Sequence, residues 1–260
     1  MSALATLGRL GGDTVLQLGR ANLFLAQVLA AVPAALRRPG LILREVYAVG
    51  VLSLVIVAVS GSFVGMVLAL QGYRTLVTFG AAESLGVFVA LVIVRELGPV
   101  VTALLFAGRA GSAIAAEIGL MKATDQLSGM EMMAVDPIRR VVAPRFLAGV
   151  LAMPMLAAIF AVMAIGIGGG ELVGVHLLGV DDGAYWSQIQ TQVEFIDVWN
   201  GVVKSLVFGA VIAWIAVYQG YTAVPTSEGV STATKSTVVL SSLSILALDF
   251  ALTALMFQRL

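Results

Sequence analysis

Residues 91–111 read LVIVRELGPVVTALLFAGRAG and set Arg95 beside Glu96 in a mostly apolar run. A charge at membrane depth costs about 2.5–3.5 kcal/mol even on insertion scales, so two adjacent ones imply a use. Lys204 and Asp249 stand in apolar stretches as well. Two positive and two negative groups can neutralise one another across helices. On an ordinary helix neighbours point about 100° apart, so Arg95 and Glu96 each need a partner elsewhere. Interhelical pairing would fix a bundle, whereas a cation turned toward a cavity could receive a phosphate. A mixture is expected here. Glu96, Lys204 and Asp249 are expected to form a buried charge network, with Arg95 turned toward a cavity. At the end of the first span, Tyr73, Leu76 and Val77 beside Arg74 offer apolar and aromatic contact for a lipid path.

Covalent chemistry is not in view. With no Cys and a single histidine, His176, the chain has no thiol chemistry and no His-cluster metal site. It lacks G-x-x-x-x-G-K-[ST], so it has no P-loop for nucleotide phosphates, and no nucleophile elbow is present. No catalytic residue, metal or cofactor is expected, and the chain is not read as an enzyme. Uphill movement would draw on a partner's ATPase or on an ion gradient. Zero formal net charge argues against a nucleic-acid partner.

The elements that must position these charges follow from composition. Hydrophobic residues make up 60% of the 260 and charged residues 12%, about half the usual soluble share, and mean hydropathy is +1.02. The class is all-α integral membrane. About 20 apolar residues cross the bilayer core, and five segments qualify, at 47–70, 85–108, 147–175 (with Pro154 expected to kink it), about 199–218 and 237–257. Small residues at helix-packing spacing, Gly61, Gly65 and Ala69, then Gly166, Gly170 and Gly174, predict close helix contacts. Residues 47–257 form the bundle, and 1–40 form an amphipathic helix lying in the interface, with Asp13, Gln17, Arg20 and Gln27 in one quadrant. The whole chain, 1–260, is one domain. A cleaved signal fits less well, since Gln27 interrupts its apolar core.

Lys and Arg set the orientation. Arg9, Arg20, Arg37, Arg38 and Arg44 precede the first span, and Arg109, Lys122, Arg139, Arg140 and Arg145 lie between the second and third. The opposite side carries Arg74 and Arg259, and its 176–198 segment is acidic. The N-terminus is thus expected in the cytoplasm and the C-terminus outside. Residues 113–133 are rich in helix formers, Asp136-Pro137 breaks them, and Pro144 is expected to stop the next short helix. Met121, Met130, Met132 and Met133 offer a repackable apolar surface rimmed by Glu117, Lys122, Asp125, Glu131, Asp136, Arg139 and Arg140. That pattern predicts a docking surface for a cytoplasmic partner.

RELGPVVTALLFAGRAGSAIAAEIGLMKATDQ (95–126) followed by MMAVDPIRRVVAPR (132–145) closely resembles the MlaE family, permease subunits of bacterial ABC systems that traffic phospholipids with Mce proteins. The likeness extends to SGSFVGMVLALQGYRTLVTFGAAESLG (60–86) and YQGYTAVPTSEGVSTATKSTVV (218–239), covering roughly 40–257. Ser128-Gly129 and Met133-Ala134 depart from many relatives. Pro225-Thr226-Ser227 looks like the subgroup that maintains outer-membrane lipid asymmetry. The resemblance implies a homodimer in the bacterial inner membrane, paired cytoplasmic ABC ATPases that use the ATP, a STAS-domain partner and a periplasmic Mce-domain hexamer. Phospholipid would pass between the two permeases, and the coupling helix would fall within 113–142. An ion-coupled carrier relaying protons through Glu96 and Asp249, and a non-transporting scaffold, are the alternatives.

Overall fold

The computed structural model describes the backbone of residues 3–166 and 168–257, and the side chains of residues 16 and 19–256 apart from 167. Among the described residues there are helices and no strands. In chain order they are α1 (Ala3–Leu36), α2 (Pro39–Val49), α3 (Leu54–Thr78), α4 (Leu85–Val92), α5 (Gly98–Phe106), α6 (Ser112–Ala123), α7 (Gln126–Met132), α8 (Ala143–Ile165), α9 (Asp182–Gln192), α10 (Phe195–Thr222) and α11 (Ser227–Phe257). Wider π turns at Ile93–Leu97 and Ala107–Gly111 join α4, α5 and α6 into one long rod, and another at Ile138–Val142 leads into α8.

Among the described residues six stretches are long and apolar enough to cross a membrane, one more than the five expected. The chain is a multi-pass membrane protein. The additional stretch is Gly19–Leu36, in the segment expected to lie in the interface. Its contacts gather at one end of the bundle. Trp214 Nε1 donates to Ala21 O at 3.1 Å, Phe24 packs on Tyr218 and Tyr221, and Ala31 and Ala35 cluster with Ala143. All these partners lie near the C-terminal end of α10 or the N-terminal end of α8, which we call the basic end. The side chains of Asp13 and Gln17 in the polar quadrant, and of Arg9 in the orientation count, lie outside those described, as does the whole of Arg259.

Four expectations about local structure change. The third crossing segment runs over Ile138–Ile165, not 147–175, and α8 continues through Pro154. It stops where Gly166 turns to ψ −156°, so Gly166, Gly170 and Gly174 form no row on one helix. Instead Gly170 and Gly174 bring the backbone close to Tyr185, Val89 and Leu85. Pro144 sits in the first turn of α8, where proline needs no N–H partner, and stops nothing. The 113–133 helix divides in two because Asp125 takes φ +56°, a left-handed conformation that Asp tolerates better than most residues.

The core is the α8–α10 pair. Gly149 lies against Ala213 and Gly209 against Met153, so the two backbones approach closely there. Helix α3 covers the other face of α8 through Gly61 and Gly65. A Cβ at Gly61 would lie 2.8 Å from the Phe160 carbonyl oxygen, and one at Gly65 would collide with the Ala164 carbonyl. Without a hydrophobic drive between helices in lipid, such close packing is what holds them. Gly65→Ala is therefore expected to lower the unfolding free energy of the purified permease in mixed micelles by about 1–3 kcal/mol, the usual cost of overpacking. Gly108→Ala, which would meet nothing within 4 Å, is expected to leave it unchanged.

Candidate functional site

A buried stripe along α10, made by Asp197, Gly201 and Lys204, receives the π turn at Ile93–Leu97. The turn has a local cause. Pro99 carries no N–H, so the Arg95 carbonyl loses its i+4 donor, and the Gly98 N–H reaches back five residues to Ile93 O. Lys204 takes up the released carbonyl, its Nζ donating to Arg95 O at 3.0 Å. The Val94 carbonyl packs onto Gly201, where a Cβ would stand only 2.5 Å from its oxygen. Glycine is required there.

Lys204 is the centre of the cluster, with a side chain only 2% exposed. Its ammonium donates to Glu96 Oε2 at 2.7 Å, Asp249 Oδ1 at 3.2 Å and Thr253 Oγ1 at 2.7 Å. The Thr253 hydroxyl also lies 3.2 Å from both Glu96 oxygens. Glu96, Lys204 and Asp249, on three different helical segments, thus meet at one point. Arg95 turns to the acidic end of α10, where Nε and Nη2 both lie 2.7 Å from Asp197 Oδ1. Asp197 is 2% exposed and also closes a capping box with Glu194, accepting from the Glu194 N–H at 3.1 Å. Asp197 was read only as one of several acidic residues in the outer segment. The signal available was its place three residues after Glu194 at a helix start. Arg95, Glu96, Asp197, Asn200, Lys204, Thr253 and Met256 line a narrow cleft.

The other site residues lie apart. Tyr73 and Leu76, on the last turn of α3, pack against the core, and Val77 is exposed. Among the described residues no hydrogen bond or ion pair joins them to Arg95. At the basic end the docking set divides. The Arg145 guanidinium bridges Glu117 at 2.9 Å and Glu45 at 3.5 Å, tying α8 to α6 and α2. Lys122 donates to the Tyr221 carbonyl at 2.8 Å, near the end of α10. Arg109 bonds Ala48 O and Ser53 Oγ at 2.9 Å each, at the break between α2 and α3. Asp125, Glu131, Asp136, Arg139 and Arg140 are exposed around α7, although Asp136 pairs with Arg139 at 3.1 Å. Met132 and Met133 are 84% and 70% exposed, while Met121 and Met130 pack inward.

Comparison with known proteins places this geometry. The family model described as permease MlaE matches residues 42–255. A Haemophilus influenzae protein named intermembrane phospholipid transport system permease protein MlaE is 54% identical, over 98% of this chain and 97% of its own. A Rickettsia typhi protein named a probable ABC transporter permease is 42% identical over 84% and 83%. The chloroplast protein trigalactosyldiacylglycerol 1 of Arabidopsis thaliana is 32% identical over 83% of this chain and 61% of its own.

Removing a cation from a buried set leaves its carboxylates uncompensated, at about 3–5 kcal/mol. Lys204→Met is expected to lower the unfolding free energy by about that amount, and adding Glu96→Gln to recover part of it by removing one orphaned charge. Denaturant titration of the wild type, both single variants and the double variant measures the coupling. Strictly additive losses would show that the two groups do not act together.

Proposed function

The chain belongs to the MlaE permease family, and we propose on that footing that it is the membrane subunit of an ABC transporter that moves phospholipid. The observation that carries this reading is the 54% identity, over nearly all of both chains, to a permease named for intermembrane phospholipid transport. The finer assignment is a homodimer in the bacterial inner membrane, served by cytoplasmic ABC ATPases and a STAS-domain protein. A periplasmic Mce-domain hexamer exchanges lipid with it, and the system maintains outer-membrane lipid asymmetry. The permease itself needs no cofactor, since the partner hydrolyses the ATP.

Several features support this arrangement. Helix α11 buries Ala233, Thr237, Ser241 and Ile245 and leaves Leu243, Leu246 and Phe250 more than half exposed, a face suited to a second copy. Thr253 and Met256 on the same helix line the charged cleft, which then opens toward the dimer interior. If α1 lies in the interface, as its contacts at the basic end suggest, five spans remain. The N-terminus and α7 then share the cytoplasmic side, and the C-terminus is periplasmic. A crossing α1 would reverse the N-terminus.

Within the cleft Arg95 meets the lipid phosphate while acyl chains lie on apolar walls. The guanidinium is already held by Asp197, so phosphate shares it. Shared contact suits a carrier, which must release its cargo as well as hold it. At the cytoplasmic tip the ATPase seats on Asp125, Glu131, Asp136, Arg139, Arg140 and the exposed methionines. Glu117 and Lys122 pass its movement to α8 and α10.

Two experiments test the reading. Arg95→Lys keeps a cation for Asp197 but loses the planar fork that fits a phosphate. Assembly and ATP hydrolysis should persist while phospholipid recovered with the purified complex falls about tenfold, as measured by lipid mass spectrometry. Wild-type lipid content would defeat the head-group role. Charge reversal at both Asp125 and Glu131 should release the ATPase and leave the permease folded. Undiminished co-purification would count against docking on α7.

A further inference from the structure

The π turn at Ile93–Leu97 has two sides. Arg95 and Glu96 face the charged cleft. Ile93, Val94 and Gly98 face a separate cavity of about 920 Å³ between α8 and α10, covered at its acidic end by Trp186 and Ile189 of α9. Small-molecule sites run from about 300 to 1,000 Å³, so this space holds a large ligand. Its walls are apolar apart from a few groups. The Ser205 hydroxyl is satisfied by the Val202 carbonyl at 2.8 Å. Glu171 is not satisfied. Its Oε2 is buried without a hydrogen-bond partner, although a carboxylate oxygen out of water needs a donor.

The surroundings specify the donor's charge. The chain has no Lys or Arg between Arg145 and Lys204. The C-terminal residues of α8, Val162, Ile165 and the capping Gly166, line the same cavity, and a helix C-terminus carries partial negative charge. Tyr185 cannot help, since its hydroxyl donates to Ile165 O at 2.8 Å and burial pushes its ionisation up. A carboxylate beside a helix C-terminus, with no ion-pair partner among the described residues, calls for a ligand cation that has hydrogens to donate. A primary ammonium has three, and a quaternary ammonium none.

The cavity opens between helices apolar enough to cross a membrane, so its natural occupant comes from the bilayer. We propose that each protomer holds, in this cavity, a phospholipid whose head group carries a primary ammonium, with the amine on Glu171 and an acyl chain against α8 and α10. A partner's transmembrane helix fits less well, because its backbone donors are already spent within the helix. The site is separate from the Arg95 cleft and stands whether or not the protein transports lipid.

The test uses the full-length permease in vesicles of equal phosphatidylethanolamine and phosphatidylglycerol. A trace of phosphatidylethanolamine with a photoreactive acyl chain is added, or the matching phosphatidylcholine. Crosslinks are mapped by peptide mass spectrometry. The ethanolamine probe should label residues 157–166 and 198–205 about tenfold more than the choline probe. Glu171→Gln should bring it down to the choline level. Ala158→Phe, which fills the cavity and leaves Glu171 in place, should abolish labelling by both. Equal labelling by the two probes in the unsubstituted protein would mean ordinary boundary lipid and overturn the proposal. Absence of label there, with a protein segment captured instead, would overturn it in favour of a helix. If Glu171→Gln does not fold, Glu171→Asp keeps the charge on a shorter arm and should give intermediate selectivity, while unchanged selectivity would again overturn the proposal. Loss of phospholipid transport with this labelling intact would strike the transport reading alone.

Discussion

A lysine ammonium with almost no exposed surface sets the terms for the rest of the bundle. Removing such a group from water costs several kcal/mol, and only close counter-charges and hydrogen bonds return it. Lys204 therefore needs Glu96 from the π turn, Asp249 and Thr253 from α11, and the carbonyl that Pro99 frees. Each of these comes from an element that could otherwise slide along α10. Apolar contacts in lipid are nearly interchangeable, since a lipid tail is as good a neighbour as a leucine. A buried ion cluster is not interchangeable. It sets the register of three helical segments at once, and it does so beside the cleft that the lipid would use.

At the other end of the molecule cations do comparable work on backbone carbonyls. Arg109 binds where α2 breaks from α3, Lys122 near the end of α10, and Arg145 holds carboxylates from two helices. These positions leave carbonyls without helical donors, and a long basic side chain supplies what is missing. Basic residues concentrated at one end thus fasten α6, α8 and α10 together. Helix α7 ends beyond this fastened base with Met132 and the following Met133 exposed. Glu117 and Lys122 tie α6, the helix before α7, to α8 and α10.

Much of this was legible in the sequence. Apolar run lengths gave the membrane class, and charges at membrane depth marked Glu96, Lys204 and Asp249 before any contact was known. The failures have physical reasons. Hydropathy cannot tell a helix on the membrane from one across it, so Gly19–Leu36 qualifies by length alone. An apolar run also hides where a helix ends. Gly166 stops α8, yet apolar Leu172, Val173 and Val175 follow a few residues later and make the run look longer. Asp197 was missed as the partner of Arg95 because 102 residues separate them, and only folding shows that the two meet. Glu171 falls inside the span expected at 147–175, where a charge is costly, but the glycines around it make the stretch look like a loop.

The opening difficulty, two adjacent charges that cannot share a partner, resolves on α10. Arg95 goes to Asp197 and Glu96 to Lys204. Those partners are seven residues apart, about 10.5 Å along one face of the helix. An unbroken α-helix would send the two side chains to different neighbours. The π turn adds a residue to the loop, and π bulges recur where side chains must be re-aimed. Proline fixes its place, because the carbonyl that Pro99 releases lies on Arg95 itself. The same geometry that satisfies the charges also leaves the opposite face of the turn, Val94 and Gly98, free to line an apolar cavity. One irregular turn therefore divides a charged cleft from an apolar one. A protein that handles molecules with an ionic head and apolar tails needs both kinds of surface within reach of each other.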